Sequence, residues 1–341
     1  MQEVRDTVLR RLLRSVDPAP EVSALVDQIQ LDPAFAEAND TDVSRAVLAQ
    51  ALNILLLKDL LDRVPTARLY MQDLSAAGRQ LVFDHGALRT VELAGMGSLP
   101  SGEAALTRIL LPLGYFCNEV YPLDRLGMTG RSYAHADFPE TVPQFFLSEL
   151  HVERFSPAFQ AATARITQGS VDPLDDADRA RLEALSKAGR LSFADACALL
   201  PKMVACFARQ HPAPARADYE VVLAESAEMA WIATEGNAFN HATDRVSSVE
   251  ALAGAQRDMG RPMKETIEVS ATGRIRQTAY RADPIVRVFV DAAGRHVEQP
   301  TPGSFFEFIQ RERVPGSGKL DLSFDSGNAQ GIFKMTSAAA S

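Results

Sequence analysis

The fold is decided by the stretch LVFDHGALRTVEL, residues 81–93. Apolar, aromatic and β-branched residues are mixed in it at the spacing of a β-strand. His85 and Arg89 lie four residues apart, and because side chains alternate between the two faces of a strand, both point to the same side. One face can therefore present an imidazole to a metal ion and a guanidinium to an anion beside it. An ordinary hydrogen-bonded histidine is the alternative for His85.

Helical and β-rich regions alternate along the rest of the chain. Apolar residues repeat at helical spacing before residue 62 and again between residues 156 and 211. We predict an α+β fold with three parts. They are an N-terminal helical segment (1–62), a metal-binding β-core (63–335) with a helical insertion at about 156–217, and a flexible tail (336–341). Two β-rich halves separated by a helical insert also suit a structural pseudo-repeat.

The composition argues against several classes of protein. The net charge is −9, the pI is near 5.3, and Lys and Arg are not clustered, so no nucleic-acid partner is expected. The longest apolar runs, 51–57 and 109–113, are far shorter than the roughly 20 residues of a membrane-spanning helix, so no membrane partner is expected either.

The N-terminus and the cysteines bear on the cellular compartment. Residues 1–14 include Glu3 and Asp6 and lack the apolar core of a secretory signal, which predicts a cytoplasmic location. The three cysteines contain no C-x-x-C pair, so we expect reduced thiols and neither a disulfide framework nor a thiolate zinc site.

Two further residues could join His85 at a metal. His241 ends the polar cluster NAFNH, residues 237–241, and Glu307 lies inside the apolar run FFEFI, residues 305–309. A buried carboxylate needs a metal or a cation as partner, although pairing with Arg311 or Arg313, or exposure on an edge strand, would serve as well. A turn with a structural histidine is the alternative for His241. Two imidazoles and one carboxylate are the set that suits non-haem iron(II).

These stretches together resemble the family first described as the domain of unknown function DUF1338, whose characterised members are 2-oxoadipate dioxygenase/decarboxylases. The resemblance spans roughly residues 80–335 and rests on five motifs in the family's order: FDHGALRTV (83–91), LLPLGY (110–115), PQFFLSEL (143–150), NAFNH (237–241) and FFEFI (305–309). It implies a fold related to the vicinal-oxygen-chelate proteins, in which βαβββ modules form a cupped sheet around one metal. The family's first motif usually carries an acidic residue where this chain has Gly86 or Ala87.

The resemblance also implies roles for individual residues. His85, His241 and Glu307 would bind Fe(II), and Arg89 would hold a carboxylate of the substrate. The substrate would be a 2-oxo dicarboxylic acid, first of all 2-oxoadipate, which reacts with O2 to give 2-hydroxyglutarate and CO2 in lysine catabolism. The oligomeric state stays unassigned.

Other residues and other functions remain open at this stage. Gln277, Arg276 and Ser148 could add polar contacts to the substrate, and His135 lies in a segment that could cover the pocket or simply face solvent. The alternatives are a lyase or isomerase of the same fold that uses zinc or manganese, and a metal-free binding domain without catalysis.

Overall fold

The structure, a computed structural model, describes residues 6–36 and 41–325 and combines helices with one large mixed sheet. The predicted flexible tail, 336–341, lies outside the described residues. The helices are α1 (Val8–Val16), α2 (Pro20–Gln28), α3 (Arg45–Arg63), α4 (Pro65–Ala76), α5 (Ala104–Leu110), α6 (Pro157–Thr167), α7 (Asp176–Ala188), α8 (Phe193–Cys206), α9 (Arg216–Leu223), α10 (Ala227–Glu235) and α11 (Val249–Asp258).

Twelve strands are found in the same part of the chain. They are β1 (Asp42–Ser44), β2 (Phe83–Glu92), β3 (Tyr115–Leu123), β4 (Met128–His135), β5 (Gln144–His151), β6 (Arg190–Ser192), β7 (Phe239–Arg245), β8 (Glu268–Val269), β9 (Ile275–Ala279), β10 (Pro284–Val290), β11 (His296–Pro302) and β12 (Phe305–Arg311). Strands β1 and β6 pair with each other, and β10 and β11 form a hairpin inserted between β9 and β12.

The large sheet has eight strands and contains an internal repeat. Its order is β3-β4-β5-β2-β7-β12-β9-β8. From the centre outwards, one half reads β2-β5-β4-β3 and the other β7-β12-β9-β8, so the two halves share one connectivity. Strand β2 pairs in parallel with β5, as β7 does with β12, and β2 and β7 join the halves in antiparallel fashion. Each half starts as β-α-β, through α5 in the first and α11 in the second. The pseudo-repeat that the sequence suggested is therefore present.

One face of this sheet is covered by helices, because its apolar side chains must be removed from water. Helix α3 begins after Ser44, whose side chain accepts a hydrogen bond from the backbone N–H of Val47, and it packs against β7. The aromatic residues that face this helical layer belong to one apolar cluster; among them are Phe145, Phe239, Phe306 and Phe308. The opposite, concave face combines polar residues with a second apolar cluster, in which Val91, Phe146 and Leu150 pack with residues of α6 and α10.

Two β-bulges interrupt the pairing of β2 with β7. On β2, Phe83 pairs with Asp244 and His85 with Thr243, which leaves Asp84 as an extra residue. On β7, Asn240 is the extra residue between the partners of Ala87 and Leu88. Because a bulge adds one residue to a strand, it shifts the alternation of side chains between the two faces of the sheet. Phe239 can therefore join the helical layer although His241, two residues on, faces the concave side.

No helix within residues 6–36 and 41–325 is both long and apolar enough to cross a bilayer.

Candidate metal centre

Three adjacent strands at the middle of the sheet bring His85, His241 and Glu307 together. One ligand atom from each lies within 4.8 Å of the others. His85 Nε2 is 3.1 Å and His241 Nε2 is 3.3 Å from Glu307 Oε2. All three residues are at least 94% buried. The register explains this, because His85 and Glu307 both pair with Thr243, while His241 pairs with Ala87 and Phe305.

The charges of the three groups depend strongly on one another. Burial alone would raise the pKa of Glu307, but the two imidazoles outweigh it and hold that pKa well below its usual range. Burial lowers the pKa of His241, and the charges of His85 and Arg89 lower it further. For His85 burial acts in the same direction, yet hydrogen bonds to the carboxylates of Asp84 and Glu307 raise its pKa overall. The cluster therefore supplies one carboxylate and at least one neutral imidazole, the protonation states that ligate metals.

The arrangement fits a divalent metal ion. Two Nε2 atoms and one carboxylate oxygen converge, which matches the two-histidine, one-carboxylate set of non-haem iron sites. The second carboxylate oxygen, Glu307 Oε1, is buried and accepts no hydrogen bond from the residues that the structure describes. Unpartnered buried polar atoms are uncommon and call for a partner such as an ion.

A buried carboxylate orients the first imidazole. Asp84 Oδ1 is 2.9 Å from His85 Nδ1, so the Nδ1 proton is directed to Asp84 and the Nε2 lone pair towards the cluster. Arg311 binds this carboxylate in turn: its Nε donates to both Asp84 oxygens at 3.0 Å. Thr243 Oγ1 donates to Glu307 Oε2 at 2.7 Å and lies 3.2 Å from His85 Nε2.

The three residues line a cavity that opens to solvent and has about 420 Å³ of empty space, the space at its mouth included. Its other walls combine apolar rings with a few polar side chains: Ala87, Phe146, Ser148, Asn240, Gln277, Phe324 and Asp325. The predicted contact residues Ser148 and Gln277 are thus both at the cavity. Asn240 was not assigned a role from the sequence, and the bulge at this residue explains its place beside His241.

Arg89 lies on the same face of β2 but deeper than the cavity wall. It is 1% exposed, its guanidinium carbon is 5.0 Å from the centre of the Trp231 ring, and it pairs along the sheet with Ser148. Burial lowers the pKa of Arg89 to about 10, so the group stays charged at neutral pH. Asn237 donates a 2.9 Å hydrogen bond to the Arg89 carbonyl oxygen and holds this part of the strand in place.

Two of the weaker candidates lie elsewhere. Arg276 forms an ion pair with Glu250 at the surface, 2.6 Å between Nη1 and Oε1. His135 is fully buried rather than solvent-facing, and its Nε2 lies 2.9 Å from the Leu113 carbonyl oxygen. Both side chains are therefore accounted for by structural contacts.

Three further residues at the site were not given a role in it from the sequence. Asp84 and Arg311 are 227 positions apart, and Phe324 comes from beyond the last strand. The ring of Phe324 packs edge-on against His85, with 4.8 Å between ring centres. Only the i, i+4 spacing of Glu307 and Arg311, which repeats that of His85 and Arg89, could have placed Arg311 on the cavity face.

The internal repeat also shows which side of the cluster is open. If His85 is matched to His241, the strand register matches Gln144 to Phe305 and Phe146 to Glu307. The first half therefore has a phenyl ring where the second half has a carboxylate. A metal held by the three ligands would keep free positions on the side of Phe146.

A second group of possible ligands occurs near the end of β2, in Glu92, Glu149 and His151. These side chains are already engaged: Glu149 binds Arg131 at 2.8 Å, and His151 Nε2 lies 2.7 Å from the Thr129 hydroxyl. They suit a surface hydrogen-bond network.

This chain is similar to known proteins in sequence and in fold. The family model described as 2-oxoadipate dioxygenase/decarboxylase matches residues 48–320. The chloroplastic 2-oxoadipate dioxygenase/decarboxylase of Arabidopsis thaliana is 24% identical, and the match covers 86% of this chain and 77% of the plant protein.

Solved structures with the same fold include a protein of the glyoxalase superfamily from Ralstonia eutropha JMP134. It is 51% identical, with a TM-score of 0.89 and coverage of 93% of this chain and 98% of that one. The hydroxyglutarate synthase of Oryza sativa, solved with 2-oxoadipate, is 21% identical with a TM-score of 0.67, over 86% and 94% of the two chains. The predicted α+β fold with a vicinal-oxygen-chelate-like cupped sheet is therefore confirmed.

Proposed function

This chain belongs to the 2-oxoadipate dioxygenase/decarboxylase family, and from that membership we propose that it converts 2-oxoadipate and dioxygen into 2-hydroxyglutarate and carbon dioxide, with iron(II) bound by His85, His241 and Glu307. The convergence of these three side chains in a buried cavity is the observation that carries the proposal. A six-carbon acid becomes a five-carbon acid, so one CO2 is released for each O2 consumed. We assign this step to lysine catabolism.

The bound ion would supply the redox chemistry that lets dioxygen react with a 2-oxo acid. The chain's own residues bind and orient the substrate. The 2-oxo acid end would lie beside the cluster, next to Phe146, where the internal repeat has a phenyl ring in place of a ligand. The aromatic rings of Phe146 and Phe324 exclude water from this end of the cavity.

Arg89 is assigned the carboxylate at the far end of the substrate. Its guanidinium carries two parallel donors that match a carboxylate, and burial strengthens the attraction. It is close enough to the cluster for its charge to depress the pKa of His241. His85, Ala87 and Arg89 follow one another along one face of β2, so we place the dicarboxylate along this face between the metal and Arg89. Ser148, Asn240 and Gln277 supply neutral polar groups to the walls of the same cavity.

Reconstitution tests this function directly. Purified protein is loaded anaerobically with Fe(II), Mn(II) or Zn(II), mixed with 2-oxoadipate and then exposed to oxygen. We expect oxygen uptake, CO2 release and 2-hydroxyglutarate formation in a 1:1:1 ratio, with Fe(II) only. Product formation without oxygen would instead identify a lyase or isomerase on the same ligands.

The substrate class has its own control. 2-Oxohexanoate has the same carbon chain but lacks the far carboxylate, so it should chelate the metal and lose the contact with Arg89. We expect its kcat/KM to be lower than that of 2-oxoadipate by at least about 100-fold, as for other sites left with an unpaired buried group. Equal rates for both acids would show that Arg89 does not recognise the far carboxylate of the substrate.

A further inference from the structure

The segment of residues 321–325, hereafter the covering segment, crosses the cavity next to the metal cluster. Phe324 lines the cavity with its ring against both His85 and Phe146, at centre-to-centre distances of 4.8 and 4.9 Å. Its backbone N–H donates to the Tyr121 hydroxyl at 2.9 Å. The segment belongs to no helix or strand. One backbone hydrogen bond, from the Asp321 N–H to the Glu312 carbonyl oxygen at 2.9 Å, holds its first residue, and side-chain contacts hold the residues that follow.

Arg311 is the main side chain that holds the covering segment. It extends from the end of β12 with no solvent exposure of its side chain. Its Nη1 donates to the carbonyl oxygens of Asp321 and Ser323, at 2.9 and 2.7 Å. The guanidinium carbon also stands 4.8 Å from the centre of the Phe324 ring. One guanidinium thus contacts three of the five residues of the segment.

The other edge of the same guanidinium holds Asp84. Arg311 Nε donates to both carboxylate oxygens at 3.0 Å, and Nη2 lies 3.0 Å from Oδ1. Asp84 in turn accepts from His85 Nδ1 at 2.9 Å. Because a guanidinium is planar and rigid, its two edges cannot turn independently.

We propose that Arg311 is a positioning residue that couples the orientation of the metal ligand His85 to the seating of the covering segment over the cavity. Metal binding at His85 Nε2 holds the imidazole in one orientation, and the imidazole holds the Asp84 carboxylate. Asp84 binds one edge of the Arg311 guanidinium, and the other edge binds the covering segment. By linkage the coupling is reciprocal, so a seated segment also favours metal binding. The inference rests on the metal site proposed above.

Amide hydrogen exchange of the covering segment tests the coupling, with Co(II) as a redox-stable probe metal whose binding is followed by its absorption spectrum. In the unmodified protein, saturating Co(II) should slow exchange in peptides covering residues 321–325 by at least about fivefold. In Arg311→Lys, which keeps the charge but loses the two-edged contact, the slowing should shrink to within about twofold. The Co(II) dissociation constant should rise about tenfold.

Two further variants separate coupling from general damage. Arg313→Lys alters a neighbouring arginine that is 62% exposed and pairs with Glu140, so the metal-dependent slowing should be unchanged. Asp84→Asn breaks the same connection from the other side and preserves side-chain size, so it should abolish the slowing even if Arg311→Lys does not fold.

The outcomes distinguish this inference from the proposed function. Failure of the unmodified protein to bind Co(II) would contradict the metal site itself. Binding of Co(II) with no change in exchange, or slowing that persists in both Arg311→Lys and Asp84→Asn, would overturn the coupling and leave the metal site standing.

Discussion

The ring of Phe239 lies directly over the Cα of Gly86, so that a Cβ added at residue 86 would stand 2.2 Å from Phe239 Cζ. Glycine is therefore required between the ligand His85 and Ala87. The phenyl ring is 1% exposed and packs against Phe145, with 5.8 Å between ring centres, so it cannot move aside. This contact explains why the chain has a glycine at residue 86.

Gly86→Ala should lower the free energy of unfolding by about 2 kcal/mol, the usual cost of overpacking a buried site. Because strand β2 must shift, Co(II) affinity should fall as well. Chemical denaturation and a Co(II) titration measure the two effects. Gly254→Ala is the matched control, since a Cβ in this helix meets nothing within 4 Å; we expect no loss of stability there. Equal behaviour of the two variants would contradict the packing argument.

Arg89→Lys preserves the charge but removes the planar pair of donors. We expect kcat/KM for 2-oxoadipate to fall about 100-fold, with the Co(II) dissociation constant unchanged within about threefold. Steady-state oxygen uptake and a metal titration measure both quantities. Arg276→Lys, in a surface ion pair, should leave both at the wild-type value. A small effect at Arg89 would mean that another group binds the far carboxylate.

Thr243→Val removes the hydroxyl that donates to Glu307 at 2.7 Å while keeping the shape of the side chain. Loss of a hydrogen bond to a ligand carboxylate should weaken Co(II) binding about tenfold. The control is Thr278→Val, another buried strand threonine, whose hydroxyl donates to the Thr266 carbonyl oxygen away from the cluster. Its Co(II) affinity should stay unchanged, and a similar loss in both variants would point to a general effect on the sheet.

Phe146→Glu tests the open side of the cluster. By the internal repeat, residue 146 corresponds to Glu307, so a carboxylate there should act as a fourth ligand. We expect tighter Co(II) and Zn(II) binding but a loss of oxygen uptake of at least about tenfold, because positions for substrate are taken. Phe146→Leu should retain the metal affinity of the unmodified protein. Unchanged metal affinity in Phe146→Glu would contradict the matching of the two halves.

Asp244 gives the protein a pH-dependent stability. Burial raises its pKa to about 7, although hydrogen bonds from the Tyr70 hydroxyl and the Val82 amide act to lower that pKa. The folded state therefore binds a proton that the unfolded chain releases near pH 4, so this contribution is complete below pH 4 and is lost as pH rises through about 7. We expect the difference in free energy of unfolding between the unmodified protein and Asp244→Asn to change in this direction between pH 5 and 8, with the unmodified protein losing stability relative to the variant as pH rises. Urea denaturation of both proteins across the range measures this difference. An identical pH profile would refute the raised pKa.

Local patterns in the sequence were sufficient for several parts of the site. The two-residue period of a strand placed His85 and Arg89 on one face, and the cost of burying an unpaired carboxylate showed that Glu307 needs a partner. The alternation of helical and β-rich regions indicated the α+β class and the repeated halves. These conclusions depend only on residues close together in the chain.

Convergence of the ligands was decided by the tertiary structure. His85 and His241 are 156 positions apart and Glu307 is another 66 beyond, and they meet only because β2, β7 and β12 become neighbours in the sheet. Strand order depends on how the whole chain buries its apolar faces, which no local period encodes. The bulges at Asp84 and Asn240 arise from that pairing as well. For the same reason the contact of Arg311 with Asp84, where the sequence suggested Glu307 as one possible partner, could be found only in the folded chain.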